Sequence, residues 1–284
     1  MFVIAGASGH TGSVVASTLL AAGKKVRVIV RDENKGAVWK AQGAEVAVAE
    51  LDDAAALGKA LAGADGVYAL VPPAYGADDL LAAQVPITGA WAQAVAAARP
   101  RHVVLLSSIG ADLPSGNGPI ASLYRAEAKL RATGVKLTKL RAAFFMENWG
   151  GMAAPAKSDG VLPSMLTLGR SASMVATADI GRVAAEALLE GERAPDLIEL
   201  AGPRDYTPEE VATAFGAVLG RPVKALAVPP PAMEPALQQA GFKPKMAALF
   251  AEMNVALNDG KLRWTGTPRR GRVGVDEVVR AIVG

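Results

Sequence analysis

The chain has 284 residues, of which 51% are hydrophobic and 20% are charged, a composition typical of a globular protein with one large domain or two small ones. Lys and Arg number 30 against 27 acidic residues, an excess too small to indicate nucleic-acid binding, which needs a concentrated basic face. The absence of cysteine excludes disulfides, thiolate metal sites and cysteine nucleophiles, and it is compatible with a reducing cytoplasm.

The apolar runs of the sequence are interrupted by charge or glycine well short of about 20 residues, so no membrane-spanning segment is expected. The first apolar stretch begins at Phe2 with no basic segment ahead of it, unlike a signal peptide. The sequence therefore predicts a soluble cytoplasmic protein whose partners are neither nucleic acid nor membrane.

The first half of the sequence alternates short β-type runs with amphipathic stretches. Strands are predicted at 2–6, 26–30, 44–50, 66–71, 102–108 and 135–141. Helices are predicted between them, at 11–22, through 39, at 53–61 behind an Asp cap, at 77–98 and at 120–133. Because strands rich in Val, Ile and Leu that alternate with helices pair in parallel, the pattern predicts a doubly wound α/β sheet of the Rossmann type.

After about Asn148 the alternation gives way to a sequence rich in Pro and Gly. A helix is expected near Asp179, a strand at 197–202, and further helices at 208–219 and 245–257. The run Val228-Pro229-Pro230-Pro231 is expected to be extended. We predict a Rossmann domain over 1–150, to which 176–202 returns, and a smaller, mostly helical substrate-binding lobe over 151–284.

Three glycines interrupt the opening run FVIAGASGHTGSVV, where a buried strand passes into a helix. Gly6 would let the strand exit sharply, Gly9 would remove the Cβ that blocks a pyrophosphate, and Gly12 would let the helix lie close to the sheet. A glycine triplet alone is weak support, but here it lies within a strand–turn–helix–strand context. We therefore predict a nucleotide-binding turn, with a tight turn that binds no ligand as the alternative.

The residues between these glycines are candidate phosphate ligands. Free N–H groups and the positive end of the helix dipole would meet the phosphates, and Ser8 and Thr11 would add hydroxyl donors. His10 lies inside the turn and is counted among the cofactor contacts. No Gly-Lys-Ser/Thr tripeptide occurs, so a dinucleotide is favoured over ATP.

The end of the second predicted strand bears on the choice between NAD and NADP. NAD enzymes usually place a carboxylate there, about 20 residues after the turn, to bind the ribose 2′-hydroxyl. This chain has Arg31 at that position, followed by Asp32 and, one turn later, Lys35. Arg31 and Lys35 would hold a 2′-phosphate, so NADP is predicted over NAD. Two alternatives remain: Asp32 could serve NAD, or the pair Arg31-Asp32 could be a solvated turn.

These motifs resemble the atypical short-chain dehydrogenases of the NmrA-like type, a group that includes NADPH:quinone oxidoreductases, triphenylmethane reductases and NAD(P)-binding regulators. The resemblance covers most of the chain and is strongest over residues 1–150. It rests on the segments G-A-S-G-H-T-G (6–12), V-R-V-I-V-R-D (26–32), E-L-D-D (50–53), V-P-P (71–73), L-S-S (106–108) and A-T-G-V-K-L-T-K-L-R-A-A-F-F-M-E-N (132–148).

The resemblance implies further cofactor contacts, at strand ends where ligands of parallel sheets commonly bind. These are Leu70, Val71 and Pro72 along the riboses, Glu50 and Leu51 beside the adenine, Ser107 and Ser108 near the nicotinamide ribose, and Phe144, Phe145, Glu147 and Asn148 where nicotinamide meets substrate. The family commonly has Asp where this chain has Glu50.

The Tyr-x-x-x-Lys pair of ketone-reducing short-chain dehydrogenases is absent, because no tyrosine has a lysine four residues on. Tyr124 has Lys129 five residues on, a spacing that rotates the lysine about 140° away around a helix. Tyr124 is thus a candidate acid whose alternative is a partly buried helix residue. Glu127 and Lys129 could equally be surface charges. With two histidines and no Gly-x-Ser-x-Gly, a catalytic triad or a histidine metal cluster is not expected.

A bound hydride carrier beside a cleft with few polar groups suits a quinone, which needs little acid catalysis. Asn148 and Tyr124 are the candidate polar orienting groups. Apolar residues of the second half could line the cleft, although each could instead belong to the core. They are Phe144, Phe145, Met146, Trp149, Met152, Pro163 and Leu166.

The sequence therefore predicts an NADPH-dependent oxidoreductase that acts on quinones or similar apolar electrophiles, as a monomer or homodimer and without a metal. The alternative is a non-catalytic redox sensor that binds NAD(P) and acts through a regulatory protein partner. A third possibility, a nucleotide-sugar isomerase or epimerase, is also disfavoured because the Tyr-x-x-x-Lys pair is missing.

Overall fold

The computed structural model describes residues 1–284, and its strands and helices follow the alternation expected from the sequence. The strands are β1 (Phe2–Ile4), β2 (Val26–Val30), β3 (Glu45–Val48), β4 (Gly66–Ala69), β5 (His102–Ser108), β6 (Leu137–Ala142), β7 (Phe144–Phe145), β8 (Val161–Ser164), β9 (Ala172–Val175), β10 (Leu197–Ala201), β11 (Asp205–Tyr206), β12 (Lys224–Ala227) and β13 (Arg269–Arg270). The helices are α1 (His10–Ala21), α2 (Ala37–Ala41), α3 (Ala54–Leu61), α4 (Leu80–Ala98), α5 (Ala121–Arg131), α6 (Ala153–Asp159), α7 (Thr177–Glu190), α8 (Pro208–Leu219), α9 (Pro230–Gln239), α10 (Pro244–Asn258) and α11 (Val275–Val283).

The main sheet has eight strands in the order β13-β10-β6-β5-β4-β1-β2-β3. Strand β1 pairs in parallel with β2 and β4, β2 with β3, β4 with β5, and β10 with β13. The strand order reverses between β1 and β4, which is the switch point of a doubly wound sheet. The predicted Rossmann-type α/β fold is thus confirmed.

Local capping signals define several helix starts. Asp53 caps α3, and its Oδ1 accepts hydrogen bonds from the amides of Ala55 and Ala56 at 2.9 and 3.0 Å. Helix α8 begins with a capping box in which Thr207 and Glu210 each accept from the other's backbone amide. These caps explain why both starts could be placed from the sequence.

The chain divides into two compact units. The first unit contains residues 1–107, 122–141 and 180–198. Its core is formed by β-strand residues and by helices α3 and α4, with Leu57, Val67, Trp91 and Leu105 fully or almost fully buried. Within this unit α7 lies close to α1, because a Cβ added at Gly181 would lie 2.5 Å from the Cβ of Val14.

The second unit contains residues 108–121, 142–179 and 199–284. Besides helices it carries a three-stranded sheet, β11-β9-β7, and a two-stranded sheet, β12-β8. Its core includes Trp149, Phe215 and Val279. The expected extended run at 228–231 is wrong at Pro230 and Pro231, which begin α9 after the extended Pro229. Proline is tolerated in the first helical turn, where its missing N–H would have no intrahelical partner.

Helix α4 differs from the expectation that no segment could span a membrane. By length and composition alone, Leu80–Ala98 is long and apolar enough to cross one, because a single glycine does not end its apolar run. The helix nevertheless contributes Trp91, Ala94 and Val95 to the core of the first unit. A buried core helix passes the same test, so this one helix is weak support for membrane insertion.

Candidate functional site

The glycine turn between β1 and α1 is closed tightly by its own backbone. Gly6 has a φ of +67°, in the left-handed region that favours glycine, and a Cβ there would lie 2.5 Å from Cδ2 of Leu70. A Cβ at Gly12 would lie 2.4 Å from the Gly6 carbonyl oxygen. The Gly9 amide donates to that same oxygen at 2.8 Å. The turn therefore needs glycine at Gly6 and Gly12 for its own geometry.

The start of α1 leaves backbone donors without a side-chain cap. Gly9 is the extended N-cap residue, and no side chain caps the helix; Ser13 makes the first hydrogen bond back to the Gly9 carbonyl, at 3.2 Å. The amides of residues 10–12 thus lack intrahelical partners, and Ser8, Gly9 and His10 are exposed beside them. This set of donors at a helix N-terminus fits the pyrophosphate of a dinucleotide.

Thr11 differs from the other residues of the turn because it is buried. The Tyr68 hydroxyl donates to Oγ1 of Thr11 at 2.9 Å. Burial raises the pKa of Tyr68 well above its usual value, so the tyrosine remains a donor at physiological pH. Thr11 therefore keeps its own hydroxyl proton for a further acceptor, as a phosphate ligand requires.

Two cationic side chains and one carboxylate follow the end of β2, and the carboxylate already accepts a hydrogen bond. Oδ1 of Asp32 accepts from the Asn34 amide at 2.9 Å and caps the short turn that follows. Arg31 and Lys35 are exposed and make neither an ion pair nor a side-chain hydrogen bond. Positive charge is available here, while one oxygen of Asp32 is engaged by its own backbone.

Helix α4 holds the segment that follows β4. Nε1 of Trp91 donates to the Leu70 carbonyl at 3.1 Å, and Nε2 of Gln84 donates to the Pro72 carbonyl at 3.0 Å. Val71 is buried between them, whereas Leu70 and Pro72 are half-buried. The three residues expected along the riboses are thus fixed in position. Glu50 is exposed and Leu51 half-buried beyond the end of β3.

Ser107 belongs to a buried ion-pair network that the sequence did not reveal. Its hydroxyl donates to Oε1 of Glu127 at 2.6 Å, and Arg141 forms a bidentate pair with the same carboxylate at 2.9 and 2.8 Å. All three side chains are buried. The expectation that Glu127 could be a surface charge is wrong, because α5 turns it towards β6. An arginine within the apolar strand β6 was the only available signal.

Tyr124 lies on the outer face of α5. The residue is 38% exposed, and its hydroxyl makes no hydrogen bond within the chain. Lys129 is exposed as well. Tyr124 is free to donate a hydrogen bond, and no lysine stands four residues on from it.

Several predicted site residues lie in the second unit. Ser108 donates to the Ile109 carbonyl at 3.1 Å, Phe144 is half-buried on β7, and Asn148 is exposed in the short helical turn that follows. Oε1 of Glu147 accepts from the amide and the hydroxyl of Thr177, at 2.8 and 2.6 Å. Glu147 therefore caps the start of α7.

Three of the seven apolar residues proposed for the cleft serve the core of the second unit. Met146, Trp149 and Leu166 are buried there. Nε1 of Trp149 contacts Sδ of Met174 at 3.4 Å, and its ring meets Phe144 edge-on with centroids 6.2 Å apart. Phe145, Met152 and Pro163 are half-buried. For the buried three, the core alternative holds.

The second unit also contains a pocket of about 300 Å³ that the sequence did not predict. Its wall combines apolar, aromatic and charged side chains from four separate segments of the chain. They include Ile109, Leu166, Arg170, Asn258, Arg263 and Trp264. Because these segments are far apart in sequence, no local motif could have indicated the pocket.

Comparison with known proteins shows that this chain matches a protein family. The model of the NmrA-like family matches residues 1–271. An NAD(P)H azoreductase of Xenophilus azovorans is 28% identical over 255 residues, which cover 89% of this chain and 86% of the relative. A (4-alkanoyl-5-oxo-2,5-dihydrofuran-3-yl)methyl phosphate reductase of Streptomyces griseus is 31% identical over 226 residues, which cover 79% of this chain and 76% of the relative.

Among solved structures, an NADPH-dependent quinone oxidoreductase of Escherichia coli, complexed with NADPH, matches with a TM-score of 0.84. The match covers 100% of both chains at 24% sequence identity. At this identity the likeness shows that the two chains share a fold.

Proposed function

We propose that this chain, which belongs to the NmrA-like family, is an NADPH-dependent oxidoreductase that transfers hydride to a quinone or a similar apolar electrophile. The observation that carries the proposal is the turn from Gly6 to Gly12, where uncapped amides meet exposed solvent at the start of α1. The relatives named as azoreductase and phosphate reductase, and the structural neighbour named as quinone oxidoreductase, favour an enzyme over a non-catalytic sensor.

Most of the proposed cofactor contacts belong to the first unit. The cofactor would lie against residues of the first unit, with the diphosphate on the amides of residues 10–12 and the hydroxyls of Ser8 and Thr11. Leu70, Val71 and Pro72 would support the riboses, and Glu50 and Leu51 the adenine. The substrate would lie near Phe144.

When bound, the nicotinamide supplies the hydride, and the chain orients the acceptor and excludes water. The quinone takes up two electrons with that hydride, and the proton that completes the hydroquinone comes from water or a weak donor. Tyr124 and Asn148 are the proposed orienting groups, because both are exposed and neither side chain is engaged by a hydrogen bond. Such groups suffice for an electrophile whose reduced anion is delocalised.

Oxidation of NADPH by the purified protein, followed at the nicotinamide absorbance with a panel of quinones, tests this proposal. Turnover above the buffer rate with at least one quinone is the expected result. Binding of NADPH without turnover on any of them would favour the sensor, which should then capture a protein partner with one redox form only. A failure to bind either nicotinamide cofactor would remove both functions.

The preference for NADP rests on Arg31 and Lys35. Both cations are free in the structure, whereas Asp32 is engaged in its cap. Replacing Arg31 by Gln should raise the Kd of NADPH by about tenfold, as expected for the loss of one charge-assisted contact, and leave that of NADH nearly unchanged.

Fluorescence titration measures both constants. Lys40→Gln, which removes an exposed cation farther along the chain, is the matched control and should alter neither of them. Equal affinity of the unmodified protein for the two cofactors would contradict the preference. The cytoplasmic location, the absence of nucleic-acid and membrane partners, and the monomeric or homodimeric state remain predictions of the sequence.

A further inference from the structure

The pocket of the second unit is small, preformed and positively charged. Its volume of about 300 Å³ lies at the lower end of the range of about 300–1,000 Å³ that is typical of small-molecule sites. Arg170 and Arg263 both line it, together with the indole of Trp264. Two guanidinium groups beside an aromatic ring form a surface that suits an anion carried on a flat molecule.

The wall that carries Arg170 is fixed by Asn258 at the end of α10. The Asn258 side chain accepts from the Thr167 amide at 3.0 Å and donates to the Met165 carbonyl at 2.7 Å. Arg170 donates through Nη1 to the Asn258 carbonyl, at the negative end of the helix. This contact holds the guanidinium in the pocket wall and leaves its other N–H groups for a ligand.

The segment that carries Arg263 and Trp264 is fixed by a buried carboxylate. Glu199 on β10 accepts from the Thr265 amide at 2.8 Å, from the Thr265 hydroxyl at 2.9 Å and from the Gly266 amide at 2.9 Å. The loop that carries Arg263 and Trp264 is therefore anchored directly behind these residues. Arg263 itself is exposed and makes no hydrogen bond or ion pair, so its charge is available.

The one carboxylate that lines the pocket, Asp205, is already compensated. Its Oδ1 accepts from Arg270 at 2.8 Å and from Ser173 at 2.9 Å. The Ser173 hydroxyl oxygen in turn accepts from Nε1 of Trp264 at 3.3 Å, which sets the orientation of the indole. The charges of Arg170 and Arg263 are thus left uncompensated within the pocket.

From this arrangement we infer that the pocket binds a flat aromatic compound that carries an acidic substituent, such as a sulfonate or carboxylate. The acidic group lies between Arg263 and Arg170, and the ring lies against Trp264.

Calorimetry with naphthalene sulfonate, which cannot be reduced, tests the pocket without turnover. Arg263→Gln should weaken binding by about tenfold, Arg263→Glu should weaken it further, and neutral naphthol should be affected by neither change. Lys261→Gln removes an exposed cation two residues away, one that does not line the pocket, and should leave binding unchanged. Added salt should weaken binding of the sulfonate to the unmodified protein.

The two proposals fail in different ways. Sulfonate binding that depends on Arg263, in a protein that reduces no quinone, would support the pocket and reject the reductase. Quinone reduction by a protein whose affinity for the sulfonate does not depend on Arg263 would overturn the pocket inference and leave the reductase standing.

Discussion

The glycine turn of the first unit and the pocket of the second unit offer charge to a ligand in different ways. The turn offers backbone amides, and a single added carbon at Gly12 would collide with the carbonyl of Gly6. The pocket offers guanidinium groups on exposed side chains, of which Arg263 contacts no other polar group. Since a backbone site is inseparable from the fold, we expect its mutations to cost stability, whereas mutations of the pocket should alter binding alone.

The largest effect on stability is expected at the buried ion pair of the first unit. Glu127→Ala leaves the Arg141 guanidinium buried without its bidentate partner and should reduce the free energy of unfolding by about 3–5 kcal/mol. Urea denaturation measures the loss. Glu45→Ala, which breaks the exposed pair with Arg27, is the matched control and should cost less than about 1 kcal/mol. Equal losses for the two variants would contradict the structural role of the buried pair.

The next effect is a pH dependence confined to the first unit. The Thr138 hydroxyl donates to the Pro195 carbonyl and can therefore accept from Nε2 of His102, which leaves Nδ1 buried without a partner. Burial, with a smaller contribution from Lys136, lowers the pKa of His102 to about 4. Because this pKa is depressed below that of the unfolded chain, the histidine stabilises the fold fully above about pH 6.5, and the stabilisation is lost as pH falls towards 4.

The loss over this interval should be roughly 3 kcal/mol, from about 1.4 kcal/mol for each unit of pKa difference. Urea denaturation at a series of pH values measures it. His102→Gln keeps a donor for Thr138 and cannot titrate, so its stability should be nearly flat between pH 6.5 and 4.5. An unchanged slope in this variant would mean that another group causes the pH dependence.

Gly12→Ala should cost about 1–3 kcal/mol, because the added Cβ overpacks the contact with the carbonyls of Gly6 and Ala5. It should also weaken NADPH binding, since α1 must move away from the turn. Gly58→Ala, in α3 with open space around it, is the control and should stabilise the protein by about 0.5–1 kcal/mol through helix propensity. If both variants were equally stable, the close approach at Gly12 would not exist.

The smallest effect is expected in the pocket of the second unit. Arg263→Gln should change the free energy of unfolding by less than about 0.5 kcal/mol, because the side chain is exposed and has no partner to lose. Thermal unfolding followed by circular dichroism is a sufficient measurement. A large destabilisation would mean that Arg263 contributes to the stability of the fold. Mutations at the turn and in the pocket would then not differ in their effect on stability.

The features that the sequence predicted are those formed by neighbouring residues. The strand at Val26–Val30 has the bounds expected from its apolar run, and α3 begins after Asp53 as its cap predicts. The glycine turn was recognisable because strand, turn and helix are consecutive.

The features that the sequence missed depend on contacts between distant residues. The charge of Glu127 gave no sign that α5 turns it inward towards Arg141, and the pocket combines residues from Ile109 to Trp264. Three consecutive prolines suggested an extended segment at 228–231, yet the same residues suit the first turn of α9. Tertiary context decided between two conformations that the local sequence allows equally.

Because Gly181 lies close to Val14, α1 can reach its final packing only late in the synthesis of the chain. Helix α1 rests on a segment that is translated more than 150 residues after it, and a Cβ at Gly181 would also meet the Thr11 carbonyl at 2.7 Å. The segment against which α1 packs is therefore absent until residues 180–198 leave the ribosome. A chain that ended before residue 180 would contain the whole glycine motif, but α1 would lack its packing contact with Gly181.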